Sequence, residues 1–586
     1  MASLNWIGKE AVVGHHREVP YHLLKGDAAL SVGEDGGVGS GNLLVQGDNL
    51  LALKALLPYY AGRVKCIYID PPYNTGNEGW SYNDNVNSPE IRQWLGKVVG
   101  KEGETLDRHD RWLCMMYPRL ALLRAFLTSD GVILISIGKH ELGHLRLLCD
   151  EIFGTQCLVE VFIWNTEGHS ENQERVNATH EYILAYERMP GSANTLNVID
   201  PNVPPDSKIR RDFAENSITK NGRGNPPSII ELPVGFPCTE PTLDLPPSPE
   251  AAAIQQEADA SGYITRQMSA KHKAAYPLRL DEMTVRAGVL CKPCRVFSGW
   301  ASARKLAEFI EAGCKPLDDD GTRLSYALSN GGVIYYRREG RQSRYVETVL
   351  REMGTTEKNK YELEDMGVHF DYPKPKELLS YLLSVFTEKD DIVMDSFLGS
   401  GTTGHAALLL NSKDGGQRRF IGIEMDFRNA SEAAARRLRS VVNGYTSTRG
   451  GQRREITGTG GGFRYATLCE PLFDERGRIF DGVRFAELAA HVFFTETGEP
   501  LPKTVNGKKS PLIGVCHGIA YYLLFNGVLG DKRPEGGNVL TSDVLGELPK
   551  HDGQRVVFGE ACRLGAERLK RVGVTFRHIP YQIKIS

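Results

Sequence analysis

The chain has 586 residues, 41% hydrophobic and 24% charged, with a formal net charge of −3. That length predicts several domains with sizeable cores, and the balanced charge excludes a surface that is basic overall, so any nucleic-acid contact must be local. No apolar run of about 18 residues occurs, so no membrane span is expected; MASLNWIGKE lacks the apolar stretch of a secretion signal, and eleven scattered cysteines suit a reducing cytoplasm better than a disulfide framework.

Residues 42–190 alternate between strand and helix patterns. NLLVQGDNLLALKALL reads as a short strand, a turn at Gly47-Asp48 and a helix. VKCIYID is a second strand with an abrupt end. Prolines lack the N–H that a ladder needs, so the strand stops at Ile69 and Asp70-Pro71-Pro72-Tyr73 forms a stiff rim. RWLCMMYPRLALLRAFL is a helix and GVILISIG a third strand. ELGHLRLLCDEIFG is a helix closed by Gly154, and EYILAYE a further strand. This alternation predicts an α/β fold with a mostly parallel sheet covered on both faces.

Residues 195–365 break the pattern. Pro-rich pieces such as PNVPPD, NPPSIIELPVGFP and DLPPSPE alternate with basic and aromatic ones, which predicts a separate, irregular insertion. The alternation then resumes with LLSYLLSVF (helix), DIVMDSF (strand), GTTGHAALLLN (helix), RRFIGIEMD (strand) and SEAAARRLRSVV (helix). GYTSTRGGQRREITGTGGGFR reads as a Gly-rich linker, and a mixed region runs from about 465 to 586.

The loop Asp395-Ser396-Phe397-Leu398-Gly399-Ser400-Gly401-Thr402-Thr403-Gly404 follows a strand and opens a helix. Gly399, Gly401 and Gly404 match G-x-G-x-x-G, and Glu424 lies 20 residues past the last glycine, at the end of the next strand. A dinucleotide site has the same description. In either case the glycines let backbone approach a ligand without an intervening Cβ, and the acid would accept hydrogen bonds from ribose hydroxyls. Two details favour S-adenosylmethionine over NAD. Asp395 suits a cationic amine and Phe397 a sulfonium or purine, and no pyrophosphate clamp is evident.

DPPY supplies what such a cofactor would serve. The exocyclic amino group of a base is a poor nucleophile, because its lone pair is delocalised into the ring. The Asp70 carboxylate and the Pro71 carbonyl can each accept one N–H, turning that lone pair toward a methyl donor. The prolines hold both acceptors in place, and Tyr73 offers a ring face for the base. The competing interpretation is a proline-stiffened strand end with Asp70 as a helix cap.

Together DPPY and FLGSGTTG resemble the amino-methyltransferases of DNA, which make N6-methyladenine or N4-methylcytosine. DPPY is the usual form in the adenine enzymes. It precedes the cofactor loop by 325 residues, Asp70 to Asp395, which resembles the β-class permutation, where a target-recognition domain separates the two halves of one sheet. NWIGKEAVVGHHREVPYHLL, GDNLLALKALL, NDNV, THEYILAYE and the terminal GEACRLGAERLKRVGVTFRHIPYQIK look like Mod, the methylation subunit of type III restriction–modification systems.

The resemblance implies a Rossmann-like, circularly permuted methyltransferase sheet. Its expected halves are residues 1–190 and 366–445, with a recognition insertion at 191–365, a linker at 446–464 and an accessory region at 465–586. It implies S-adenosylmethionine as cofactor, no metal, double-stranded DNA as substrate, a homodimer, a possible restriction or translocase subunit in trans, and a cytoplasmic, nucleoid-associated location. Asp70, Pro71, Pro72 and Tyr73 match the catalytic motif. Asp70 also stands among the expected cofactor contacts, with Asp395, Phe397, Gly399, Gly401, Thr402, Thr403 and Glu424. Asp48 matches a position near the adenine ring of the cofactor, though it also fits a helix N-cap. Lys374 and Pro375, in FDYPKP, match the segment that closes over the cofactor. Tyr182 is expected either to support a flipped base or to be a buried strand tyrosine. Gly138 departs from the family, which often has Asp there.

Chemistry on a paired base requires its extrusion, so phosphate contacts are needed to hold the opened duplex. The candidates are Tyr335, Arg337, Arg338, Arg341 and Arg344, and a second cluster of Lys208, Arg210 and Arg211. Cys291 and Cys294, with Cys314 nearby, lack the second CxxC of a structural zinc site. The expected activity is adenine-N6 methylation. The alternatives are N4-cytosine methylation, a recognition subunit serving a nuclease or translocase, and, most remotely, an NAD-dependent oxidoreductase.

Overall fold

The computed structural model describes residues 4–75, 108–166, 179–193, 213–319, 321–339, 346–448, 453–474, 476–502, 510–528 and 530–579. The chain forms two compact units, one of Met1–Leu196 with Glu347–Ser586, the other of Asn197–Val346. Among the described residues no helix is long and apolar enough to cross a membrane.

After two short helical turns, Lys9–Val13 and His15–Glu18, the first half of the larger unit contains strand β1 (His22–Val32), β2 (Leu43–Gln46), helix α1 (Asn49–Tyr60), β3 (Val64–Ile69), α2 (Arg108–Phe126), β4 (Leu127–Ile137), α3 (Leu142–Ile152), β5 (Leu158–Asn165) and β6 (His180–Glu187). After the second unit come β7 (Val349–Leu350), α4 (Thr356–Asp365), α5 (Lys376–Phe386), β8 (Ile392–Asp395), α6 (Thr402–Asp414), β9 (Arg419–Glu424), α7 (Ala435–Asn443) and β10 (Phe463–Pro471). These strands build one ten-stranded sheet, ordered β1-β10-β2-β9-β8-β3-β4-β6-β5-β7. Its centre is parallel from β10 through to β4, and antiparallel pairs join β1 to β10 and β6 to both β4 and β5.

The central strands read as near-continuous apolar runs because both faces are covered. On β3, Ile67 and Ile69 share a core with Trp112, Phe126, Ile133 and Met394. Cys66 and Tyr68, which alternate with them, are equally buried. Strands from the two halves of the chain interleave. β8 lies beside β3 with Met394 opposite Ile67, and β9 lies beside β2 with Glu424 opposite Gln46. The carboxyl ends of β2, β9, β8 and β3 therefore share one edge, where open α/β sheets bind their ligands.

Three boundaries differ from the sequence-based expectation. The second unit ends at Val346 rather than 365, because β7 extends the large sheet beside β5 and α4 holds α5 through the Asn359 side chain, which accepts from Lys376 N at 3.1 Å. The expected linker contains an antiparallel pair, Gly444–Ser447 with Arg454–Thr457, tied to α4 by Tyr445 on Glu362 and Ser447 on Asp365. The region expected to start a separate C-terminal part instead supplies β10, inserted between β1 and β2. Past β10, helix α8 (Phe485–Thr497) and strands β11 (Leu512–Cys516), β12 (Ile519–Leu523), β13 (Arg555–Gly559) and β14 (Val574–His578) form a four-stranded sheet with its own apolar cores.

The second unit is more regular than its proline content suggests. Its described residues form small antiparallel sheets around a core that includes Phe236, Val296, Trp300, Phe309 and Tyr326. Described prolines such as Pro233, Pro241, Pro246, Pro277 and Pro293 flank strand ends, where a missing N–H costs little.

Two glycines make an opposed pair for testing the packing. A Cβ on Gly422 of β9 would lie 2.5 Å from Leu398, on the glycine loop, whereas a Cβ on Gly143 of α3 would meet open space. Gly422→Ala is expected to destabilise by about 1–3 kcal/mol through overpacking, and Gly143→Ala to stabilise by up to about 1 kcal/mol through helix propensity. Melting curves should therefore shift in opposite directions.

Candidate active site

The site grows from the end of β3. Asp70 leaves the strand with its side chain 18% exposed, Oδ2 3.0 Å from Lys374 Nζ and Oδ1 enclosed without a hydrogen-bond partner. Burial pushes the Asp70 pKa up, the Lys374 charge pulls it back, and Glu181 adds to the rise. Lys374 also lies 3.3 Å from Glu181. Burial opposes its charge, but the two carboxylates outweigh that and hold its pKa above the ordinary lysine value. Tyr73 donates its hydroxyl to Glu181 Oε2 at 2.7 Å, and the Lys374 ammonium sits 4.9 Å from the centre of the Tyr73 ring.

The rim is braced from beneath. Trp112 of α2 donates Nε1–H to the Pro72 carbonyl at 2.7 Å, which commits that oxygen to the fold. Asn74 takes a left-handed φ of 55°, and its buried amide donates to Glu141 Oε1 at 2.5 Å and to the Arg108 carbonyl at 3.1 Å. Glu141 is in turn bonded by His109 at 2.6 Å and His144 at 2.8 Å. A Cβ at Gly138 would press to 3.0 Å on the Tyr73 ring, so the departure from Asp at that position leaves room for the ring.

The glycine loop lies on the neighbouring strand end. Asp395 closes β8, and its carboxylate accepts from Phe397 N at 2.9 Å and Thr403 Oγ1 at 2.5 Å. Glu424 closes β9 and accepts from Gly399 N at 2.8 Å and Asp426 N at 3.0 Å. Burial pushes both acids up to about 7. Gly401 has a φ of 82° and packs so closely on the N-cap of α7 that a Cβ would meet Ala434 Cα at 3.2 Å. Beneath the loop the buried Arg437 donates to Ser400 Oγ at 2.9 Å, Thr402 Oγ1 at 2.7 Å and His405 Nδ1 at 3.2 Å. The Thr402 and Thr403 hydroxyls therefore shape the loop from within.

Asp48 caps α1, accepting from Leu50 N at 2.9 Å and Leu51 N at 3.1 Å. The next residue, Asn49, donates to the Ser396 carbonyl at 3.1 Å, so α1 also anchors the glycine loop. Pro375 is the N-cap residue of α5, which places Lys374 at the mouth of the site. Tyr182 packs against the central core, with its hydroxyl 2.9 Å from His180.

Of the expected DNA contacts, Tyr335, Arg337 and Arg338 lie on a strand of the second unit, Ile334–Glu339. Arg337 stacks 3.9 Å over Phe213 and approaches Glu215 at 3.5 Å, and Arg338 bonds to Asp319. Lys208, Arg210, Arg211, Arg341 and Arg344 lie outside the described residues, as do the NDNV stretch and the end of the terminal motif. Among the described residues, the His/Cys/Asp/Glu set whose ligand atoms come within 4.8 Å of one another is His109, Glu141 and His144, not the cysteines at 291, 294 and 314.

Sequence reasoning missed Glu181, Trp112, Asn74 and Glu141. Only Asn74 carries a local signal, because a polar residue after DPPY at a strand end invites a turn conformation.

A family model described as DNA methylase matches residues 64–434, a span that includes DPPY, the glycine loop and Glu424. The Mod subunit of the type III restriction–modification enzyme EcoPI, from Escherichia phage P1, is 29% identical over 76% of this chain and 69% of its own length. The EcoP15I Mod subunit from Escherichia coli is 29% identical over 72% of this chain and 64% of its own, and the StyLTI Mod subunit from Salmonella typhimurium is 29% identical over 66% and 53%. The chain thus spans between 53% and 69% of the length of these relatives. With more than half of its residues matched by that one family model, and with both motifs meeting at a single sheet edge, the chain belongs to the DNA methylase family.

Proposed function

We propose that the chain methylates N6 of adenine at a specific DNA site, using S-adenosylmethionine, as the modification and recognition subunit of a restriction–modification system. The carrying observation is the Asp70 carboxylate, whose Oδ1 is buried and unpartnered at the sheet edge it shares with the glycine loop. A planar amino group brings the N–H that such an acceptor lacks. The names of the relatives describe Mod subunits of type III restriction–modification enzymes, which supports DNA as substrate and a restriction subunit as partner; the homodimer belongs to the same proposal.

The loop suits the cofactor. The carboxylates at its two strand ends, Asp395 and Glu424, fit a cation bearing ribose hydroxyls and repel a pyrophosphate. Gly399 and Gly401, both at positive φ, give a ligand access to the backbone. Asp395, Phe397, Gly399, Gly401 and Glu424 would hold the cofactor; when bound, it supplies an electrophilic methyl group on sulfur. Asp70 and the Pro71 carbonyl orient the target nitrogen by accepting its two N–H groups, and Tyr73 stacks the base. A ring-conjugated amine is too weak an acid to lose its proton first. Asp70 takes that proton only once the nitrogen has gained the methyl group and become strongly acidic.

Asp70→Ala is expected to lower the methylation rate by about 10²–10⁴-fold while leaving cofactor affinity within a few-fold. Wild-type turnover in that variant would rule the mechanism out. Mass analysis of nucleosides from modified DNA should show N6-methyladenine, and N4-methylcytosine would select the alternative.

Cofactor binding should also follow the two loop acids. Their ionised forms attract the cation, and below about 7 both take up protons. Affinity is therefore present above that pH and lost as pH falls through it, by roughly tenfold per unit for each acid required. Calorimetric titration with S-adenosylmethionine between pH 5.5 and 8.5 should show this slope, and Asp395→Asn should flatten it.

A further inference from the structure

Lys374 is expected from the family resemblance to contact the cofactor, but its ammonium bonds somewhere else. It arrives from a segment 304 residues beyond Asp70, and its side chain is only 12% exposed. Nζ lies 3.0 Å from Asp70 Oδ2 and 3.3 Å from Glu181 Oε2, close to the rings of Tyr73 and Trp164. The backbone around it is set by Tyr372, at a φ of 58°, and by the flanking Pro373 and Pro375, which restrict both neighbours. A lysine held this way is part of a built site. Surface ion pairs are loose and weak by comparison.

We propose that Lys374 is a positioning residue that keeps Asp70 in its ionised, acceptor form, and that Glu181 opposes it by competing for the same ammonium. The proposal rests on Asp70 being the acceptor for the target amino group. A buried carboxylate without a counter-ion takes up a proton. A protonated Asp70 would then present an O–H where the amino group needs a lone pair. Among the described residues, the groups facing Asp70 besides Lys374 and Glu181 are Tyr73 and Tyr68 from its own strand end and Asp395 from β8, and Lys374 is the one cation in that set. It shares its charge between two carboxylates, so removing either partner changes Asp70 in a defined direction. Without Lys374, Asp70 holds its proton to higher pH. Without the Glu181 charge, Asp70 loses a repelling neighbour and a competitor, and ionises at lower pH.

The test is the pH profile of kcat/KM for DNA, measured at saturating S-adenosylmethionine so that the loop acids do not contribute. The acid limb of that profile reports the enzyme–cofactor complex before DNA binds. Lys374→Met is expected to move it up by about one to three pH units, and Glu181→Gln to move it down. Opposite shifts are not what general loosening of the site would produce. Limbs that coincide with wild type, or that move in the same direction, would overturn the proposal, as would a loss of cofactor affinity in Lys374→Met with an unmoved limb. If Lys374→Met fails to fold, as judged by melting, the downward shift in Glu181→Gln decides alone. A wild-type protein that transfers no methyl group to DNA would sink the methyltransferase reading itself, whereas an active wild type with unmoved limbs sinks only the role of Lys374.

Discussion

The pairing of β8 with β3 sets almost everything else in the larger unit. Val393 and Met394 lie opposite Cys66 and Ile67, so a strand from late in the chain completes a sheet begun near its start. Because the two run parallel, their carboxyl ends coincide, and the carboxylates that follow them are presented side by side. β9 and β2 repeat the arrangement one position further out. A single buried asparagine reinforces it. The Asn42 side chain accepts from Phe420 N and donates to the Gly462 carbonyl, both at 2.8 Å, joining β2 to β9 and to the start of β10. A slip of one residue between β3 and β8 would exchange the side chains of the two covered faces, so the apolar core and the site are specified by the same register.

The edge so formed is rich in negative charge. Asp70, Glu181, Asp395 and Glu424 converge there with Lys374 among them, while Arg437 lies buried under the loop, lowered by burial to about 10 and still charged at neutral pH. Such a rim welcomes a cation and repels the phosphates of DNA. Under the proposed function, duplex contacts would come from elsewhere on the chain.

What the sequence makes legible is what a motif can carry in a few adjacent residues. DPPY predicts a strand that stops and a rim that stiffens, and the glycine loop with Glu424 predicts a strand, a turn and an acid. The residues around them were not legible, because their significance is wholly tertiary. Glu181 looks like any polar residue at a strand end until Tyr73 and Lys374 arrive beside it. Trp112 reads as core, which it is, yet its indole N–H also fixes a proline carbonyl. The Thr402 and Thr403 hydroxyls read as ligand contacts, and their bonds to Arg437 and Asp395, which hold the loop together, were not legible. Composition misled twice. Prolines suggested an irregular insertion where they punctuate antiparallel strands, and glycines suggested a bare linker where hydroxyl side chains pin a hairpin to α4.

The place of β10 has a consequence for how the molecule is made. Until residue 471 has been synthesised, β1 lacks its sheet partner and β2 has an open edge on that side. The centre of the sheet is likewise unfinished until β8 and β9 appear, long after β3. A nascent chain therefore carries unpaired apolar strands through most of its translation. Such edges are templates for misassembly, and pairings this distant in sequence form slowly. The second unit, continuous from Asn197 to Val346 with its own core, can close on the ribosome in the interval, so the insertion folds as a module while the sheet around it waits for its last strand.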